Sequence, residues 1–85
     1  MKTAFILMAQ YERAIVPLDL VCRDYFKHLT PENFARKSLA GEIAIPVVRI
    51  EDSQKATRGV HITDLATWID ARRAEAVREL ERIHG

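Results

Sequence analysis

An α+β fold is predicted by three features of the 85-residue sequence. Two short segments in the first half carry apolar residues at helical spacing and are joined by a turn of only a few residues. Two β-branched segments flank a polar stretch in the second half. A segment of high helix propensity closes the chain. The length fits one domain, and a chain this short has a thin core and a small margin of stability. The apolar fraction of 48% is spread along the whole sequence, which separates it from disordered chains.

Taken in order, Thr3 to Tyr11 is a compact apolar run, and its length before Glu12-Arg13 predicts a buried strand; periodicity alone also allows a short helix. Ala14-Ile15-Val16 is β-branched and is expected to pair back onto it. From Pro17, residues Leu18, Val21, Cys22, Tyr25 and Phe26 fall on one helical face, predicting a helix over 18–26. Lys27-His28-Leu29 make the turn. Thr30 as cap, Pro31 at the first position and Glu32 in the first turn predict a second helix from Pro31 to Ala40, with Phe34 as its core anchor and Gly41 as its left-handed stop. Ile43–Ile50 reads as a strand with Pro46 near its edge. Glu51–Arg58 is a polar tip, and Gly59 opens a second strand over Val60-His61-Ile62. Thr63 and Asp64 start the last helix, which packs through Leu65, Trp68 and Ile69. Residues 73–85 extend it with an Ala/Glu/Arg-rich tail.

Strand, helix, tight turn, helix, hairpin and helix is the order of a winged helix-turn-helix, in which the second helix enters the major groove and the hairpin, or wing, touches the backbone or minor groove. With Phe34 turned inward, Asn33, Arg36 and Lys37 become the candidate base readers, since Arg suits guanine, Asn suits adenine and Lys suits either a base or a phosphate. Thr30 and the helix N-terminus suit phosphate. The wing tip supplies Ser53, Gln54, Lys55, Thr57 and Arg58. Singly, each cluster matches an ordinary solvated surface. Together they fall on the two elements that such a fold would use. The net charge of only +1 makes the distribution of charge matter more than its sum.

Other chemistry finds little support. A single cysteine, Cys22, leaves no disulfide framework, sits among apolar neighbours as an inert thiol, and predicts an intracellular setting. His28, His61 and His84 have no ligand spacing among themselves or with Cys22, so no metal or other cofactor is expected. The glycines are isolated and form no phosphate loop. Asp19, Asp24 and Glu32 have no spacing that requires a shared cleft, and an enzyme is not expected. The apolar runs are too short for a membrane span, and Ala4–Ala9 is read as structure and not as a signal peptide.

The series TAFILMAQY, IVPLDLVCRDYF, LTPENFARK, AGEIAIPVVRI, SQKATRGVH and DLATWIDARR, over about Thr3 to Arg73, resembles the pyocin activator protein (PrtN) family. The resemblance implies a cytoplasmic, nucleoid-associated regulator that activates bacteriocin or prophage genes from DNA boxes upstream of their promoters. The AGEIAIPV passage is also similar to the helix-to-wing junction of small phage excisionases, which implies DNA bending as the alternative role. The expected partners are double-stranded DNA, further copies of the chain as a homodimer or cooperative array, and RNA polymerase. Ala76, Leu80 and Ile83 form a narrow apolar seam on the last helix, the candidate oligomerisation element.

Overall fold

The computed structural model describes residues 2–52 and 57–85. Among them, four helices and a three-stranded antiparallel sheet follow in the order α1 (Thr3–Tyr11), β1 (Ile15–Pro17), α2 (Leu18–Tyr25), α3 (Pro31–Leu39), β2 (Val48–Arg49), β3 (Arg58–His61) and α4 (Ile62–His84). The α+β class is the predicted one.

The first element corrects the sequence expectation. Thr3–Tyr11 is a helix and not a strand. Ala4, Leu7, Met8, Ala9 and Gln10 are good helix formers, and only Thr3 and Ile6 are β-branched. Because the segment is apolar on every side, it has no periodicity to declare its type. Glu12 stops the helix in the left-handed region at φ 53°, its N–H donating to the Met8 carbonyl. Leu7 and Tyr11 are buried, whereas Phe5, Ile6 and Met8 are each more than half exposed. The helix lies on α4, and the Thr3 hydroxyl donates to Asp70 at 2.6 Å. The Tyr11 hydroxyl donates to the Asp24 carboxylate at 2.5 Å, which ties α1 to α2, and the neighbouring Arg23 donates to the same carboxylate at 2.8 Å.

The α2–turn–α3 unit follows its capping signals. The Thr30 side chain accepts from the Asn33 N–H at 3.2 Å, with Pro31 in the first turn. Gly41 takes the left-handed conformation (φ +80°) that ends the unit. Phe34 is fully buried, edge-on to Phe26 with ring centroids 5.0 Å apart, and Phe26 meets the partly buried Trp68 of α4 at 4.9 Å. The thiol of Cys22 is buried in the same core, and that burial, followed by the negative Asp19, pushes its pKa up and keeps it protonated.

In the sheet β3 is central. Val16 pairs with Val60 on one side, and Arg49 pairs with Arg58 on the other. Three expectations are corrected here. The Ala14–Val16 segment pairs with β3 and not with the N-terminal run. Of the Ile43–Ile50 strand, only Val48–Arg49 pairs: Pro46 has no N–H for a ladder, Ile45 turns into the core, and the Ile45 carbonyl accepts from the Ser38 hydroxyl at 2.6 Å. Ile62 is not the end of a strand but the buried first residue of α4, which is capped by His61 and not by Thr63. The His61 Nδ1 accepts from the Thr63 N–H at 3.0 Å.

Gly59 sits in the middle of this arrangement, paired to Pro17 and Val48 at once. A β-carbon there would lie 2.6 Å from the Val16 carbonyl oxygen and 2.6 Å from Ile15 Cγ2. Gly59→Ala is therefore expected to separate β1 from β3 and lower stability by several kcal/mol, a large part of the margin of a small domain; urea unfolding followed by circular dichroism measures the loss.

The Arg23 guanidinium, and after it the Tyr11 hydroxyl, hold the Asp24 carboxyl below its usual range. A carboxylate with a depressed pKa contributes stability that is intact above about pH 5 and is lost as pH falls through the unfolded value near 3.9 towards the folded one. Asp24→Asn should therefore flatten the acid limb of the stability profile between about pH 5 and 2. Tyr11→Phe should cost about 1–2 kcal/mol at neutral pH.

Candidate nucleic-acid interface

At 3.6 residues per turn, burial of Phe34 decides what α3 shows to solvent. Arg36 lies roughly opposite Phe34 and is exposed. Asn33 and Lys37 are half-buried on one flank, and Glu32 and Leu39 are exposed on the other. Leu39, at the end of the helix, is 92% exposed. Thr30 stands exposed at the N-terminus with its side-chain oxygen engaged as the cap.

The β2–β3 hairpin lies alongside the Glu32–Leu39 flank. Glu32, Arg36, Ser38, Leu39 and Val47 line one open concavity together with Arg49 of β2 and Arg58 of β3. Arg49 and Arg58 face each other across the ladder, an arrangement of like charges that weakens a strand pair unless an anion compensates. Glu32 supplies part of that compensation, since Arg58 donates to its carboxylate at 2.7 Å. Among the described residues no carboxylate lies within ion-pair distance of Arg36 or Arg49, while Lys37 has a long contact to Glu42 at 3.7 Å. Two guanidiniums are thus left without a protein anion on one concave surface.

The structure brings Arg36 and Arg58 to the same concavity and puts Asn33, Lys37 and Thr30 on the adjoining side of α3. Thr57 is exposed at the base of the hairpin, its carbonyl accepting from the Ile50 N–H at 3.2 Å. Ser53, Gln54 and Lys55, the remaining wing-tip candidates, lie outside the described residues. Two residues escaped the sequence reading. Arg49 was detectable by strand alternation, because Val48 turns in and Arg49 out once they pair with β3. Leu39 carried no such signal, since a leucine near a helix end reads as core.

Among the described residues there is no cluster of three or more His, Cys, Asp or Glu that could hold a metal ion. No described helix is long and apolar enough to cross a membrane. No curated protein and no solved structure matches the chain. A protein-family model described as "Pyocin activator protein PrtN" matches residues 3–76, most of the sequence. That description is of regulators and not of enzymes. The chain belongs to the pyocin activator protein PrtN family.

Proposed function

We propose that the protein binds double-stranded DNA as a winged helix-turn-helix and activates transcription of bacteriocin (pyocin-like) or prophage genes from promoter-upstream boxes. Family membership supports the activator role. The observation that carries DNA binding is the concavity where Arg36 of α3 meets Arg49 and Arg58 of the hairpin. Arginines from two separate elements on one face, two of them directly opposed, suit the closely spaced charges of a phosphate backbone.

In this reading α2 and α3 form the helix-turn-helix and α3 enters the major groove. Arg36 reads base edges with Asn33 and Lys37 beside it, and Leu39 offers an apolar contact for a thymine methyl. The β2–β3 hairpin is the wing. Arg49 meets phosphate directly, and Arg58 does so by exchanging Glu32 for a phosphate oxygen, while Thr30 and Thr57 add neutral donors. The protein would act in the cytoplasm, at the nucleoid.

The decisive experiment is binding of the purified protein to promoter DNA from its own locus, titrated against salt and random competitor. Selective, salt-sensitive binding is expected. Arg36→Ala should cost about 1–3 kcal/mol and much of the selectivity. Arg49→Ala should weaken binding to all sequences alike and lower the log–log salt slope by about one. No preference over competitor at low salt, or full regulatory activity in an Arg36→Ala plus Lys37→Ala variant, would overturn the proposal in favour of a protein partner.

A further inference from the structure

The last helix is longer than the domain needs. Of the 23 residues of α4, the first turns carry the buried Ile62, Leu65 and Ala66 and the partly buried Trp68 and Ile69. From residue 70 to the end every residue is exposed. The molecule is accordingly elongated, 51 × 29 × 19 Å. Such an arm, about 14 residues and 21 Å long, is marginal as a helix by itself.

The arm is not polar all round. Steps of four and three lead from Ile69 through Arg73, Ala76 and Leu80 to Ile83, the spacing of a coiled-coil seam. Leu80 is 55% exposed and Ile83 is 72% exposed, with Val77 at the edge. This seam continues the very face that α4 buries inside the domain. The elements covering that face, α1 and α2, therefore stand on the same side of α4 as the seam, and they end where the arm begins: Thr3 bonds Asp70, and Tyr25 packs edge-on to Trp68.

We infer that the arm pairs with the arm of a second copy of this chain, and that the pairing is antiparallel. A parallel partner in register would bring its own α1 and α2 into the space held by the first copy's. An antiparallel partner puts the two domains at opposite ends of the shared arm. Charge agrees with that choice. Arg72 and Glu79 flank the seam one heptad apart, so a copy laid antiparallel about Ala76 sets Arg72 of each chain beside Glu79 of the other. Antiparallel pairing thus sets these unlike charges together and opposes the helix dipoles. Each copy presents the same surface to the other, as a two-fold dimer requires. It also brings Ile83 of each copy to the partner's domain end, where α1 begins and Phe5 and Ile6 stand exposed. The seam alone is well short of the ~800 Å² per partner of a standard interface, so dissociation in the micromolar range or weaker is expected.

Sedimentation of the full chain over a concentration series tests the inference without DNA. A reversible dimer is expected. Leu80→Glu plus Ile83→Glu, at exposed positions, should give a monomer with an unchanged thermal midpoint. Orientation is read by oxidative cross-linking in single-cysteine additions, Cys22 being buried. Ala76→Cys, near the middle of the overlap, should form a covalent dimer, and Gly85→Cys, at the tip, should not. A monomer up to about 1 mM, a dimer that survives the double glutamate variant, or efficient cross-linking through Gly85→Cys would each overturn it.

Discussion

The close approach of β1 to β3 at Gly59 is the constraint on which the rest of the structure depends. A side chain cannot be accommodated there, because the Val16 carbonyl and the Ile15 side chain occupy its place. That approach lets one four-residue strand pair on both edges. Through β1 it fixes where α2 starts, since Leu18 follows Pro17 with no residue between. Through β2 it fixes the hairpin. Through His61, whose ring caps the next helix, it fixes where α4 leaves the sheet. The junctions of β1 with α2 and of β3 with α4 have no loop, which leaves these elements little freedom to reorient relative to one another.

The burial of Phe34 does for the surface what Gly59 does for the frame. With its ring packed edge-on to Phe26, which in turn meets Trp68 of α4, the azimuth of α3 is set and Arg36 must face outward. The Ser38–Ile45 hydrogen bond then draws the following segment back along α3, so that β2 arrives beside the Arg36 face. The arginine cluster follows from core packing and one side-chain hydrogen bond. Its like-charge pair lowers the stability of the hairpin, a cost consistent with a site retained for a ligand and not for folding.

Much of this was legible in the sequence where local physics decides. Thr30, Pro31 and Gly41 bounded α3 because capping and a positive φ are properties of single residues. Phe34 and Trp68 were recognisable as core by spacing. The N-terminal helix was misread because Phe5, Ile6, Leu7 and Met8 are apolar on every face, and the surface left uncovered is invisible to a pattern that assumes a wet side. The register that sets Arg49 against Arg58 was illegible for a different reason. It depends on which residue β3 offers to both neighbours, a tertiary choice made at Gly59. The cap moved from Thr63 to His61 because the strand runs into the helix without the turn that Thr63 would have capped.

The unbroken course of α4 gives the molecule the mechanics of a threaded rod. No glycine or proline interrupts residues 62–84, so the angle between the exposed end and the arginine surface is indexed by residue count. Each residue inserted between Arg72 and Ala76 would turn the end by about 100° and advance it by about 1.5 Å. Whatever the arm grips is thereby held at a set phase relative to α3. Were two copies joined through their arms, the separation of their arginine surfaces would be set by helix length, tunable one residue at a time but only in coarse, rotating steps.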